Sequence, residues 1–142
     1  MRSVKHVLAN KSVSIISVSK TTSVLEALQL MMKENISALL VMQGDKLEGI
    51  FTERDYARKI ILQGRSSKDT SIAKAMTSNL LTVTPEDSID HCMQVMTNQH
   101  IRHLPVIENN LVAGMISIGD LVRFVIEDQK KTIQELEKYI NS

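Results

Sequence analysis

Residues 18–61 read VSKTTSVLEALQLMMKENISALLVMQGDKLEGIFTERDYARKII, and residues 83–126 read VTPEDSIDHCMQVMTNQHIRHLPVIENNLVAGMISIGDLVRFVI. The two stretches align without a gap when the chain is shifted by 65 residues. Identical pairs occur throughout the register, among them Val18/Val83, Gln29/Gln94, Met31/Met96, Ile36/Ile101, Leu39/Leu104, Val41/Val106, Gly49/Gly114, Asp55/Asp120, Arg58/Arg123 and Ile61/Ile126. This agreement indicates an internal duplication, and small repeated units bury their apolar faces against each other.

Each copy has the pattern of a β-α-β-β-α unit. A short β-branched run is followed by an amphipathic helix, two strands joined by a polar turn, and a second helix. The predicted strands are Val13–Val18, Ala38–Met42 and Leu47–Phe51, then Leu80–Val83, Leu104–Ile107 and Leu111–Ile116; the predicted second helices are Glu53–Leu62 and Ile118 onward. The expected fold class is α/β (α+β), with two repeats packed sheet to sheet in pseudo-two-fold symmetry.

The helix starts and the domain boundaries follow from local signals. Ser23-x-x-Glu26 reads as a capping box, and Thr84-Pro85-Glu86-Asp87 offers a cap residue, a proline at N1 and an acid at N3. The apolar turn Ile72–Met76 precedes the second copy, and Val4–Leu8 resembles it before the first. We expect a first repeat over 1–64, a linker over 65–75, a second repeat over 76–128 and a helical extension over 129–142.

The composition narrows the functional classes. A hydrophobic fraction of 43% supports a core, and a formal net charge of +1 gives no long-range attraction to nucleic acid or acidic membranes. Cys92 is the single cysteine, and no apolar run is long enough for a signal or a membrane span. We therefore expect a soluble, cytoplasmic protein without nucleic-acid or membrane partners.

The C-terminal segment departs from the repeat. Apolar or neutral residues recur at alternating steps of three and four, at Ile126, Gln129, Ile133, Leu136 and Ile140. Such a stripe is typical of a short coiled coil, but five positions are few for an independent one. The stripe is either the seam of a homodimer or a helix face packed on its own domain.

The segments most suggestive of binding are Gly49–Asp55 and Gly114–Asp120. Each contains glycine, two apolar residues, a hydroxyl residue (Thr52 or Ser117), two variable residues and aspartate, at a predicted strand-to-helix junction. A helix start offers free N–H groups to a phosphate, and the aspartate can accept from ribose hydroxyls. The same residues form ordinary capping boxes that need no ligand. The glycine in both copies favours the ligand, because glycine in a strand marks close approach by a ligand or another backbone.

A second group of polar residues lies at the start of a strand in the second copy. Arg102 has the planar cation that suits phosphate, His103 adds a donor, and Pro105 belongs at a sheet edge because it lacks an N–H. The alternative is that Arg102 and His103 only solvate a loop. The other histidines lack the spacing of a zinc site, and the sequence contains no nucleophile-elbow, Walker or His-Glu-x-x-His motif, so an enzyme is not expected.

With these motifs the chain resembles the CBS-domain family, over roughly residues 13–128. The resemblance rests on the repeat, on Gly-x-x-Thr/Ser-x-x-Asp in both copies, on Arg102-His103-Leu104-Pro105-Val106-Ile107, and on the segment from Thr52 to Lys59. It implies a Bateman module of the stand-alone bacterial type, which often pairs into a homodimer. It also implies adenine ligands in clefts between the repeats. AMP is the expected ligand, with ADP, ATP, NAD and S-adenosylmethionine as alternatives.

The resemblance also implies two unequal sites. The first would use Thr52, Arg54 and Asp55, with Arg102 and His103 for the phosphate and Leu81 and Pro105 beside the base; the second would use Ser117 and Asp120, with Ile15, Ile16 and Ala38 beside the base. The first copy has Ser37 where the second has Arg102, so the second site lacks that cation and is expected to bind an anionic ligand less tightly. The expected function is regulation through an unidentified protein partner; the alternative is a ligand-free interaction scaffold.

Overall fold

The computed structural model describes residues 2–11 and 15–141. The helices in this part of the chain are α1 (Val4–Ala9), α2 (Val24–Glu34), α3 (Glu53–Tyr56), α4 (Ile89–Gln99) and α5 (Ile118–Ile140). The strands are β1 (Ser17–Val18), β2 (Ala38–Gln43), β3 (Lys46–Thr52), β4 (His103–Glu108) and β5 (Leu111–Ser117). Helix α3 continues as a π-helix over Ala57–Ile61, and a 3-10 turn covers Ile72–Lys74. The predicted mixed α+β class is confirmed.

The chain forms two compact units, each built around one repeat. Of the described residues, the first-repeat unit contains 15–82 and 109–112, and the second-repeat unit contains 2–11, 83–108 and 113–141. Each unit has its own apolar core, with Phe51 and Leu39 fully buried in the first and Leu104 and Ile116 in the second. None of the helices in the described part of the chain combines the length and apolar character needed to cross a bilayer.

The first-repeat unit contains a three-stranded sheet in the order β1-β2-β3. Strand β1 runs parallel to β2, and β2 pairs antiparallel with β3 so that Ala38 lies opposite Thr52. Gly44, with φ of +59°, occupies the turn between β2 and β3, where glycine adopts the left-handed conformation at little cost. The predicted strand Val13–Val18 falls partly outside the described residues, and its described part pairs only at Ser17 and Val18.

Strands β4 and β5 form a two-stranded sheet, most of which lies in the second-repeat unit, and the predicted first strand of this repeat, Leu80–Val83, is wrong. Only Val83 pairs, through an isolated parallel bridge to Val106. Its N–H donates to the carbonyl of Pro105 at 3.0 Å, and its carbonyl accepts from Ile107 at 2.8 Å. A parallel ladder would next need an N–H from residue 105, which proline lacks. Pro105 therefore ends the pairing at this bridge.

The helix starts confirm one of the two predicted caps and correct the other. Ser23 caps α2, since its hydroxyl accepts from the N–H of Glu26 at 3.1 Å. Helix α4 is capped by Ser88 and not by Thr84 as predicted, because the Ser88 hydroxyl accepts from His91 at 3.0 Å. Thr84 begins a turn before α4, closed by a bond from Asp87 N–H to the Thr84 carbonyl at 3.1 Å. Local cap signals alone did not distinguish this turn from the helix.

The segment before each repeat packs on the other repeat. The N–H of Val4, at the start of α1, donates to the Asp87 carbonyl at 2.9 Å, and Val4 and Val7 belong to the second-repeat core. In the first-repeat unit, Ile72 N–H donates to the Thr22 carbonyl at 2.8 Å. The N-terminal segment that we grouped with the first repeat thus belongs to the second-repeat unit. The segment 65–75, predicted as a linker, contains Ile72, which is buried in the first-repeat core.

Candidate functional site

The first motif, Thr52 and Asp55, forms a capping box where β3 ends and α3 begins. Thr52 has extended backbone (φ −124°, ψ 166°), and its hydroxyl accepts from the N–H of Asp55 at 3.1 Å. In return Asp55 Oδ2 accepts from the Thr52 N–H at 3.0 Å and from the Thr52 hydroxyl at 3.1 Å. Asp55 is buried, at 8% exposure. The capping interpretation is therefore correct for this motif.

The other carboxylate oxygen of Asp55, Oδ1, is hydrogen-bonded to Lys59 and to the segment that follows the first repeat. Asp55 Oδ1 accepts from the Thr77 hydroxyl at 2.9 Å and from Lys59 Nζ at 3.1 Å. The same ammonium group donates to the carbonyls of Ala75 at 3.1 Å and Met76 at 3.2 Å, and to Thr77 Oγ1 at 3.3 Å. A carboxylate has about four lone-pair positions. Asp55 has four donors, so its acceptor capacity is fully used.

The second motif, Ser117 and Asp120, repeats the capping box at the start of α5 and has different ionic partners. The Ser117 N–H donates to Asp120 Oδ2 at 2.8 Å, and the Asp120 N–H donates to the Ser117 hydroxyl at 3.1 Å. Lys11 Nζ lies 2.9 Å from Asp120 Oδ2 and donates to the Met115 carbonyl at 2.5 Å. Arg123 Nη2 donates to Asp120 Oδ1 at 2.6 Å. Two cations thus share one carboxylate.

These contacts perturb the ionisation of the second motif. Burial of Asp120 acts to raise its pKa, but hydrogen bonds from Lys11 and Ser117 and the Lys11 charge outweigh it, and the pKa falls below its ordinary 3.8. Burial is the main reason that the pKa of His103 lies below 6.5. The charges of Lys11 and Arg102 lower it further, while Asp120 opposes them. At neutral pH Asp120 is therefore a carboxylate, and His103, at the start of β4, is a neutral imidazole.

Three of these contacts were missed by sequence reasoning. Lys59 follows Asp55 by one helical turn, so the i,i+4 spacing of opposite charges could have indicated it. Lys11 and Thr77 reach the aspartates from segments that precede the opposite repeat in the chain. No local pattern connects Lys11 with Asp120 or Thr77 with Asp55, because the connection depends on the exchange of segments seen in the fold.

The remaining predicted residues are divided between the units. In the first-repeat unit, Ala38 is buried and lies opposite Thr52. The side chains of Arg54, Leu81 and Ile15 are exposed, and Ile16 is half-buried. In the second-repeat unit, Arg102, His103 and Pro105 lie at the start of β4. The Arg102 carbonyl accepts from the N–H of Ile118 at 2.9 Å, which brings this backbone to the second motif. The predicted combination of residues from both repeats stays a prediction.

The glycines before the two motifs are explained by the exchanged segments. A Cβ on Gly49 would lie 2.8 Å from Met76 Sδ and 2.9 Å from the Thr77 carbonyl oxygen. Ile50 and Thr77 exchange both backbone hydrogen bonds at this point, at 2.9 and 2.8 Å. A Cβ on Gly114 would meet Leu8 Cδ2 at 3.0 Å. The close approach inferred from the sequence is real, but a chain segment makes it, so these glycines do not favour a ligand.

The remaining histidines and Cys92 form no metal site in the described residues, where three or more potential ligands never cluster. Cys92 is buried in the second-repeat core. Burial, with a contribution from the charge of Asp87, raises the pKa of its thiol to about 11. The thiol is therefore protonated at neutral pH and is a poor nucleophile.

Comparison with known proteins agrees with this architecture. CBSX3, a mitochondrial CBS domain-containing protein of Arabidopsis thaliana, is 47% identical over 123 residues, which are 83% of this chain and 60% of that protein. The chain thus spans less than two thirds of that relative. A CBS-domain protein structure from Burkholderia ambifaria MC40-6 superposes with a TM-score of 0.86 at 47% identity, covering 89% of this chain and 96% of that one.

A further structural relative contains adenosine ligands. The CBS domain pair of protein MJ0100, solved with 5′-methylthioadenosine and S-adenosyl-L-methionine, has a TM-score of 0.77 at 26% identity and covers 90% of this chain and 98% of its own. The CBS domain family itself matches the chain twice, over residues 4–62 and 70–127. Each match combines one repeat with the segment that precedes it in the chain. The chain therefore belongs to the CBS-domain family and contains a pair of CBS repeats.

Proposed function

We propose that this CBS pair is a regulatory module that binds an adenine nucleotide and changes conformation, and that a protein partner responds to the change. AMP is the proposed ligand, with ADP, ATP, NAD and S-adenosylmethionine as alternatives, and no catalysis is proposed. The observation that carries the proposal is the repeated hydroxyl–aspartate pair. In each repeat it lies at the start of a helix, with a lysine ammonium about 3 Å from the carboxylate.

The chemistry of these groups suits a nucleoside phosphate. Asp55 and Asp120 can accept hydrogen bonds from vicinal ribose hydroxyls, and Thr52 or Ser117 can donate to a ribose or phosphate oxygen. The cations beside each aspartate can approach the phosphate. Both ligands of the MJ0100 CBS pair contain an adenosine group, which supports an adenine ligand for this chain as well.

The contacts of the aspartates suggest how binding would be transmitted. Asp55 accepts hydrogen bonds from the Thr77 hydroxyl and the Lys59 ammonium, and Lys59 also donates to the carbonyls of Ala75 and Met76. A ribose hydroxyl that bonds Asp55 has to displace one of its four present donors. When the displaced donor is Thr77 or Lys59, which bond Asp55 Oδ1, binding weakens the attachment of residues 75–77 to the first repeat. A ligand shifts a conformational equilibrium when it binds one state better than the other, and this competition supplies such a difference.

Calorimetric titration tests the proposal. We expect one of the five ligands to bind wild-type protein with micromolar affinity, and Asp55→Asn and Asp120→Asn each to weaken one binding event by at least about tenfold. Asparagine keeps the volume of the side chain and removes its charge. Asp45→Asn, in the exposed turn between β2 and β3, is the matched control and should bind normally. Unchanged binding by both motif variants would reject the site.

A second candidate function, a homodimeric interaction scaffold, is favoured by the outer face of α5. The predicted stripe is solvent-exposed at its apolar positions, from Ile126 at 47% to Ile140 at 77%, and it begins one step earlier at Val122. The full set is Val122, Ile126, Gln129, Ile133, Leu136 and Ile140, with steps of 4, 3, 4, 3 and 4 residues. This a/d spacing suits pairing with the same stripe of a second copy.

Analytical ultracentrifugation of Leu136→Glu tests the scaffold function. A glutamate at a d position puts a charge into each half of the seam, so we expect the dimer dissociation constant to rise about a hundredfold. Lys131→Glu is the control, because residue 131 lies on the opposite face of the helix and is exposed. Equal association of wild type and Leu136→Glu would exclude the stripe as a dimer seam.

A further inference from the structure

The two motifs differ in charge within their own units. In the first motif one cation, Lys59, faces one carboxylate, Asp55. In the second motif two cations, Lys11 and Arg123, face the single carboxylate of Asp120, which leaves a net charge of +1. The sequence alone predicts that the first site binds an anionic ligand more tightly, because Arg102 is the only phosphate-binding cation that the aligned repeats reveal. Lys11 reaches the second motif from the segment before the first repeat, so an alignment of the repeats does not reveal it.

The two lysines also differ in their remaining hydrogen-bonding capacity. Lys59 Nζ has four acceptors, more than its three protons can serve fully. Lys11 Nζ has two acceptors among the described residues, Asp120 Oδ2 and the Met115 carbonyl. One Lys11 proton can therefore bond a further acceptor without breaking either contact. The Lys11 side chain is 27% exposed, so an incoming ligand has access to it.

The two aspartates do not differ in this way. The Asp120 carboxylate accepts from Ser117 N–H, Lys11 and Arg123, and the Ser117 side chain hydrogen-bonds to it as well. A ribose hydroxyl that bonds either aspartate therefore competes with donors already present. A phosphate oxygen can bond Lys11 beside its two acceptors among the described residues, whereas at the first motif it would have to displace an acceptor of Lys59.

From these differences we infer that Lys11 is the phosphate-binding residue of the second motif and makes it selective for a phosphorylated adenine ligand over an uncharged nucleoside. The inference rests on the proposed adenine-binding function and assigns one residue and one preference to it. It uses only residues of the second-repeat unit. Arg123 adds charge beside the same carboxylate and stays bonded to Asp120.

Titration of ¹⁵N-labelled protein with AMP, adenosine and inorganic pyrophosphate tests the inference. The amide signals of Ser117 and Asp120 report the second motif, and those of Thr52 and Asp55 report the first. We expect Lys11→Met to weaken AMP binding at the second motif by about tenfold and to change adenosine binding by less than about twofold. Lys11→Arg should retain AMP binding because it retains the charge. Lys5→Met is the control, because Lys5 is exposed in α1 and its ammonium pairs with Glu86, at 3.6 Å, which is not a residue of the second motif.

The outcomes separate this inference from the proposed function. An unchanged preference for AMP over adenosine in Lys11→Met, with AMP still bound, overturns the inference and leaves the proposed function standing. Tighter AMP binding by Lys11→Met overturns it as well and makes Lys11 a competitor for Asp120. If wild type binds pyrophosphate through Lys11 but no adenine ligand, the phosphate-binding role holds and the proposed function fails. If neither binds, both fail.

Discussion

Replacing Asp55 with alanine is expected to lower the free energy of unfolding by about 3 kcal/mol. The carboxylate is buried and accepts four hydrogen bonds, two from Thr52 and one each from Thr77 and Lys59. Alanine removes the reciprocal half of the α3 capping box and leaves the Lys59 ammonium without its counter-charge. Urea denaturation followed by circular dichroism measures the change, with the slope of the transition checked for two-state behaviour.

Asp120→Ala is the matched variant, and we expect it to cost less, about 1 to 2 kcal/mol. It also removes half of a capping box, but one of its two ionic partners, Arg123, has a side chain that is 69% exposed, against 36% for Lys59, the ionic partner of Asp55. Exposed ion pairs contribute little to stability. Equal losses in the two variants would mean that the capping boxes dominate. No loss in Asp55→Ala would mean that the Asp55 network does not stabilise the first-repeat unit.

The stability of Asp55→Ala also affects how its ligand binding is interpreted. Substitution of a residue that caps a helix and bonds the following segment can reduce ligand binding simply because the protein unfolds. Asp55→Asn is therefore the better binding variant, because it keeps an oxygen for the Thr52 N–H. The sequence left capping and ligand binding as alternatives for this motif. The structure establishes capping, and it gives ligand binding a physical cost that the sequence could not reveal.

The elements that could be predicted from the sequence are those set by local patterns or by the duplication. The hairpin strands and helix α2 were found within a few residues, because alternation, helical spacing and the Ser23 cap are local. The start of α4 was placed too early because Thr84-Pro85-Glu86-Asp87 has three helix-start signals of its own. Ser88 lies 65 residues after Ser23, so the repeat would have identified the correct cap.

The contacts that could not be predicted depend on the exchange of segments between repeats. Val4–Leu8 and Ile72–Met76 were matched in sequence, but the unit on which each packs is a tertiary property. Lys11 and Thr77 become partners of Asp120 and Asp55 only through that packing. The truncated pairing at Val83 has a local cause in Pro105, yet it requires knowing which residue of β4 faces Val83. These missed features are therefore long-range pairings, in contrast to the Lys59–Asp55 pair, which is local in sequence.

Replacing Gly49 with alanine is expected to destabilise the first-repeat unit by about 2 kcal/mol. The new Cβ would lie 2.9 Å from the Thr77 carbonyl oxygen and 2.8 Å from Met76 Sδ. The thioether can move, but the carbonyl belongs to backbone that exchanges two hydrogen bonds with Ile50. The strand and the segment have to separate, which also disturbs the bond from Thr77 to Asp55. Thermal and urea unfolding measure the loss.

Gly114→Ala is the control, because its Cβ would meet only the end of the Leu8 side chain, at 3.0 Å. Leu8 can change its rotamer, and alanine has fewer unfolded conformations than glycine, so we expect a change within about 1 kcal/mol. A difference between the two variants would show that Gly49 is required by the backbone that crosses it. If both glycines tolerated alanine but lost nucleotide binding, the glycines would serve the ligand after all, as the sequence alone had suggested.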